Sequence, residues 1–227
     1  MTKRDVPFAV GEWYHCYNRG IERRVVFGDA RDYHRFLELL YLANDEFPLR
    51  RDDIGIYKFE EVLKVPRGKK LVAVGAFCLM PNHFHLVLKE IVDGGITAFM
   101  RKIGTAYTLY FNARHGRMGN LFLRPFRSRH ISTDRYFQHL ISYVHCNPAA
   151  LYEPEWETGN VVDPQFLGEQ IAAYPYSSLG AHTGAHTSTN TILDAEIFSI
   201  VHTVKIQKML QEARRYYADS KLDSSLP

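Results

Sequence analysis

PNHFHLVLKE, residues 81–90, sets two histidines one residue apart at the head of an apolar run. In a β-strand successive side chains point to opposite faces. His83 and His85 therefore project together, while Phe84, Leu86 and Leu88 project the other way into apolar packing. The preceding run, LVAVGAFCLM (71–80), has the unbroken apolar character of a buried strand. Pro81-Asn82 is a turn pair. The spacing predicts a hairpin whose first strand covers Leu71 to Leu79 and whose second opens at the histidines. Two imidazoles side by side on one rigid face form half of a divalent-metal site; the same pattern also serves as a pair of packed or polar histidines.

On the N-terminal side, WYHCYN (13–18) alternates aromatic and polar residues and reads as a first strand, ended by Arg19-Gly20. Asp29 is placed to cap a helix running to about Asn44, with Tyr33, Phe36, Leu37 and Leu40 on its apolar stripe. Ile54 to Val65 fits either a strand or a short helix, and RGKK (67–70) is a turn. On the C-terminal side, Asp93-Gly94-Gly95 breaks the chain. A helix then carries Ile96, Phe99, Met100, Ile103, Tyr107 and Tyr110 at helical spacing and ends near His115-Gly116. Gly119 to Ile131 reads as extended and rich in arginine. Asp134 opens another helix with Phe137, Leu140, Ile141 and Val144 facing a core, and Asn147-Pro148 stops it. Beyond it, Glu153 to Asp163 is acidic and turn-rich, HTGAHTSTNT (182–191) reads as a mobile loop, and an amphipathic helix is expected over Asp194 to Tyr217. Strands and helices in this order suggest an α+β fold around one antiparallel sheet.

The 227 residues suit one domain with an extension, or one large and one small domain, and 46% apolar residues suffice for a core. No apolar run approaches the roughly 18 residues of a membrane span, and MTKRDVPFAVGEWYH lacks the apolar region of a secretory signal. Cys16, Cys78 and Cys146 are odd in number, far apart and set among apolar residues, as expected of reduced core thiols in a cytoplasmic protein. The net charge is only +3, but its distribution is uneven. No acidic residue lies between Asp93 and Asp134, whereas Arg101, Lys102, Arg114, Arg117, Arg124, Arg127 and Arg129 all do. Interleaved aromatics such as Phe122 and Phe126 complete the footprint of a face that binds a polyanion and stacks bases; a basic surface over core aromatics is the plainer alternative.

Tyr143 and Asn147 lie four residues apart and so share one helical face. A tyrosine hydroxyl is a nucleophile for phosphoryl transfer once its proton is removed and the phosphate polarised. An amide oxygen is a hard metal ligand, and two histidines plus one amide would leave open positions for phosphate oxygens. Asn147 could instead be a helix-end cap, and Tyr136 is a rival nucleophile on the same helix. His130, His139 and His145 fit surface or phosphate contacts better than ligands. Zinc on Cys78, His83 and His85 is chemically possible, but Cys78 sits inside the apolar strand and no fourth ligand has suitable spacing.

YHCYNRG (14–20), PNHFHLVL (81–88), GNLFLRPFRS (119–128) and ISYVHCNPAA (141–150), in this order, resemble the motifs of single-tyrosine HUH transposases, above all the REP-associated members. The resemblance covers roughly residues 7 to 155. It implies a ferredoxin-like or RRM-like sheet with helices on one side and the histidine strand central. It also implies Tyr143 as nucleophile and a divalent ion, Mg²⁺ or Mn²⁺, on His83, His85 and Asn147. The activity implied is cleavage and rejoining of single-stranded, hairpin or palindromic DNA through a 5′-phosphotyrosine, by a monomer or a homodimer. Arg114, Arg117, Arg124, Arg127 and Arg129 are the candidate DNA contacts. YPYSSLGAH (174–182) and EARRYY (212–217) resemble the C-terminal strings of REP-associated members more weakly. The organisation expected is a transposase domain over residues 1–152 and a mainly helical extension over 153–227. Two other functions fit the same residues: a non-catalytic nucleic-acid binder of this fold, and a metal-dependent phosphodiesterase that uses water.

Overall fold

The computed structural model describes residues 7–47, 54–202 and 205–220. Its four-stranded sheet is built from β1 (Trp13–Arg19), β2 (Val72–Met80), β3 (His83–Glu90) and β4 (Arg127–His130), all pairs antiparallel, in the order β2-β3-β1-β4. Helix α1 (Ala30–Leu42) joins β1 to β2, and α2 (Gly95–Arg114) joins β3 to β4. This β-α-β-β-α-β order is the ferredoxin-like arrangement, an α+β fold with β3 and β1 in the centre. Helix α3 (Asp134–Cys146), α4 (Pro164–Ala173) and α5 (Ile206–Ser220) follow.

The pleat of β3 divides the molecule. Phe84, Leu86 and Leu88 enter the core with Phe36, Leu40, Phe99 and Ile103, the inner stripes of α1 and α2. Val87 belongs to a second core on the opposite face, where Phe137, Leu140, Ile141 and Val144 of α3 meet Met209, Leu210 and Ala213 of α5. Helices therefore cover both faces of the sheet, and not one side only. α1 begins where Asp29 accepts bonds from the amides of Arg31 and Asp32. α3 begins at Asp134 as its sequence suggests, capped by Thr133, whose side chain accepts from the Tyr136 amide.

Of the two readings left open for Ile54 to Val65, the short helix is the one found, as the turn Phe59–Val62; the stretch adjoins the undescribed 48–53. Two other stretches depart from their sequence reading. The last helix starts at Ile206, not Asp194. Residues 194–202 form a separate turn, Ile197–Ile200, pinned to the sheet by Lys70–Asp194 and Lys89–Glu196 ion pairs, and Val201 leaves it in an extended conformation (φ −103°, ψ 122°). Residues 182–191 are likewise not without structure: Ser188–Ile192 is a 3-10 turn closed by a capping box between Thr187 and Asn190. α4 was not foreseen, although Asp163-Pro164 is a cap-plus-proline start; Asp163 accepts from the amides of Gln165 and Phe166.

YPYSSLGAH has a structural role that its composition hides. The Leu79 amide donates to Tyr176 O and the Ser178 amide to Phe77 O, both at 2.9 Å, so this segment covers the outer edge of β2. The Phe77 amide donates to Ser178 Oγ (2.9 Å), and that oxygen also meets His145 Nε2 of α3 at 2.8 Å.

Beside this edge, Gly75 sits where the β2–β3 register shifts between Val74 and Ala76. A Cβ there would lie 2.7 Å from the Trp13 ring and 2.9 Å from Ile197 Cδ1. Gly75→Ala should cost about 1–3 kcal/mol of stability through overpacking, read as a lower urea midpoint; an unchanged midpoint would mean that the 197–200 turn yields freely.

Candidate active site

His83 and His85 stand on one face of β3 with ring centroids 5.0 Å apart. Tyr17 and His15 of β1 pair with His85 and Val87, so their side chains join the same face. α3 crosses it and sets the Tyr143 ring edge-on to His85, with centroids 5.2 Å apart and planes at 83°. The α-helix ends at Cys146, but Asn147 keeps helical angles (φ −52°, ψ −40°) before Pro148 continues as a 3-10 turn. Its amide therefore stays on the Tyr143 face, and Asn147 Oδ1 lies 3.0 Å from His83 Nε2. Tyr143 of α3, Asn147 just beyond its end, and His83 and His85 of β3 come together on this face.

Proton counting shows what this cluster lacks. His83 Nδ1 lies 2.6 Å from Asn82 Oδ1, and its Nε2 faces Asn147 Oδ1. A neutral imidazole carries one N–H and cannot donate to both oxygens. Imidazolium could, but burial holds His83 down at about 4; the Asn147 bond raises it and the Arg19 charge lowers it further. One oxygen therefore faces a nitrogen lone pair at neutral pH, unless the Asn147 amide turns over or a cation bridges the two. The separation of 3.0 Å matches two adjacent corners of an octahedron with metal–ligand bonds of about 2.1 Å. Three of the six buried side-chain atoms without a hydrogen-bond partner among the described residues, His15 Nδ1, His85 Nε2 and Asn147 Nδ2, also lie here. Two imidazole nitrogens and one amide oxygen form a donor set that suits a divalent ion, and His83, His85 and Asn147 are the residues that would hold it. The Cys78, His83 and His85 alternative is not assembled: Cys78 pairs with His85 across the strands, but no three His, Cys, Asp or Glu side chains among the described residues gather to hold a metal.

Tyr143 is 1% exposed. Burial first, and then Tyr217, raise its hydroxyl well above the ordinary tyrosine range, while the Asn147 side chain draws it down. Tyr216 and Tyr217 of α5 cover its outer side, with ring centroids at 4.4 and 4.9 Å. Its rival Tyr136, two turns earlier, meets the Tyr216 hydroxyl at 3.1 Å and lies under the Arg129 guanidinium.

The five arginines separate. Arg114 is committed to Asp29 (Nη1–Oδ1, 2.9 Å) and to the buried Asp32, and Arg117 to Asn112 (2.6 Å) and the Asn120 carbonyl. Arg124, Arg127 and Arg129 are exposed and form no ion pair among the described residues. By register, Arg127 and Arg129 lie beside Tyr17 and His15 on the histidine face, while Arg124 precedes β4 in the same segment. Arg19 was not anticipated. It pairs across the strands with His83, and its charge acts on that ring. His15 was also missed, because the alternation of WYHCYN gives its face but not the strand beside it.

The sequence matches no family model and no curated protein. Among solved structures, a REP-associated tyrosine transposase bound to a REP hairpin is similar at 14% identity and a TM-score of 0.49, over 83% of this chain and 90% of that one.

The buried histidines set an acid response. His15 and His83 lie at about 3 and about 4, below the ordinary 6.5, and burial also lowers His85, His145 and His182. Between 6.5 and about 4 the unfolded chain takes up protons that the folded chain refuses, so stability falls with pH, by up to about 1.4 kcal/mol per pH unit for each such group. Urea unfolding should show level stability above pH 7 and a steep loss toward pH 4.5; a flat profile would mean that these rings are protonated in the fold.

Proposed function

We propose that this chain is a metal-dependent endonuclease and strand transferase of single-stranded or hairpin DNA, a tyrosine transposase in its chemistry. The observation that carries the reading is the meeting of Tyr143 with His85, His83 and Asn147 on a sheet face bordered by Arg19, Arg127 and Arg129. Arg19 beside His83 and Arg127 on β4 would hold phosphate oxygens, and Arg124 would extend the track. Tyr143 would be the nucleophile: a bond forms between its hydroxyl oxygen and phosphorus, the bond from phosphorus to the 3′ oxygen breaks, and the phenol proton ends on that oxygen. A 5′-phosphotyrosine and a free 3′-OH result. Rejoining is the same exchange run with a second 3′-OH, so no high-energy cofactor is consumed. A divalent ion, when bound, supplies Lewis-acid polarisation of the phosphate and a template for its orientation. Tyr216 and Tyr217 must move aside before a phosphate reaches Tyr143.

The burial of Tyr143 also favours a second reading, a nucleic-acid binder that keeps the sheet and the cations without catalysis. One experiment separates the two. A labelled hairpin oligonucleotide with Mn²⁺, resolved on a denaturing gel, should give a covalent adduct with the wild-type chain and none with Tyr143→Phe. An adduct that survives in Tyr143→Phe would remove the nucleophile assignment. Free 5′-phosphate ends without an adduct would point to water as nucleophile, and salt-sensitive binding without cleavage to the non-catalytic protein. His83→Ala and His85→Ala should abolish cleavage and leave hairpin affinity nearly unchanged, because affinity comes from the cations.

The arginines have their own readout. Arg124→Ala and Arg127→Ala should each flatten the log–log salt dependence of single-strand binding by about 0.7, the contribution of one phosphate contact. Arg114→Ala should leave that slope unchanged and lower stability instead, since its partner Asp32 is buried. Measuring Kd at several salt concentrations decides the matter; an unaltered slope in both first variants would move the DNA to another face.

A further inference from the structure

His15 is fully buried on β1, and its Nε2 lies 2.9 Å from His85 Nδ1. Two facing ring nitrogens share one proton, so one ring donates and the other accepts. If His15 donates, His85 carries its own proton on Nε2, buried and without an acceptor. If His85 donates, its Nε2 becomes a lone pair on the side of the ring turned away from His15. The unpartnered N–H then falls on His15 Nδ1, beside the Tyr17 ring stacked at 4.7 Å. Both arrangements leave one buried N–H without a partner, so hydrogen bonding alone does not choose between them. A cation beside His85 does, because it binds only the second. His15 also cannot join the ligand set in this arrangement, since its near nitrogen is already spent on His85.

We propose that His15 is a positioning residue: by accepting a hydrogen bond from His85 Nδ1–H, it fixes the tautomer and ring orientation that present His85 Nε2 to a divalent ion. This rests on the metal site of the proposed function. Ligating histidines commonly give their second N–H to a carboxylate, a carbonyl or water; a second imidazole fills that role here because the neighbouring central strand offers no backbone acceptor on the side-chain face.

The test reads metal binding and tautomer, and does not depend on turnover. Mn²⁺ affinity, followed by electron paramagnetic resonance, should fall about 10–100-fold in His15→Leu and stay near wild type in His15→Gln, whose side-chain oxygen still accepts. Long-range ¹H–¹⁵N spectra of the Mg²⁺-loaded wild-type chain should show His85 protonated at Nδ1. Wild-type affinity in His15→Leu, equal losses in both variants, or a His85 protonated at Nε2 would each overturn the assignment; the last measurement stands even if His15→Leu does not fold. His83→Ala keeps the two levels apart. If that variant binds Mn²⁺ as wild type does, the metal site itself is misplaced. If it loses the ion while His15→Leu retains it, only the role of His15 falls.

Discussion

The alternation of side chains along β3 is the constraint on which the rest depends. A central strand has two covered faces, and one residue of slip would exchange them. Phe84, Leu86 and Leu88 fix the register, because their face must meet the apolar stripes of α1 and α2. His83 and His85 are thereby committed to the other face, under α3. Burying imidazoles there is costly unless their nitrogens find partners. The fold finds some of them, one of the Asn82 and Asn147 oxygens for His83 and His15 for His85, and leaves others unpaired among the described residues. Unpaired buried atoms gather where the packing argument is weakest, which is the pattern expected of a site kept for a ligand.

The same face explains the C-terminal region. A ferredoxin-like sheet with helices on one side would leave β2, β3 and β1 open beside the histidines. α3 and α5 close that face, and the Ser177-Ser178 segment closes the edge of β2. Ser178 Oγ takes the Phe77 amide and meets His145, so sheet, edge segment and tyrosine helix share one oxygen. His145 was read from sequence as a surface or phosphate contact; it is instead fully buried in this joint. α5 completes the cover by stacking Tyr216 and Tyr217 on Tyr143, which shields the hydroxyl and raises its pKa through desolvation.

Much of this was legible in the residues. The hairpin at Pro81-Asn82, the strand at Trp13 and the helices at Asp29 and Asp134 follow from periodicity and caps, signals confined to a few neighbouring residues. The pairing of Tyr143 with Asn147 follows from helical spacing in the same way. What the sequence hid depends on distant partners. His15 lies 70 residues from His85, and only strand order makes them neighbours. The expected helix over Asp194 to Tyr217 had adequate periodicity, yet its first part is a separate turn whose Asp194 and Glu196 pair with the distant Lys70 and Lys89. Ser178 looked like a loop residue because its partners, Phe77 and His145, come from two other elements.

The arginines carry the final step. Composition alone treats the acid-free stretch as one basic face, but the fold divides it. Arg114 ends α2 against two aspartates of α1, where its guanidinium neutralises a buried carboxylate and has little charge left to offer a ligand. Arg127 and Arg129 lie on β4, an edge strand whose neighbour β1 carries His15 and Tyr17. Their charge and that of Arg19 extend inward: Arg129 lowers the pKa of His15 and Arg19 that of His83, after burial. These guanidinium charges thus help keep the adjacent imidazoles neutral, the protonation state in which a histidine nitrogen can bind a metal ion.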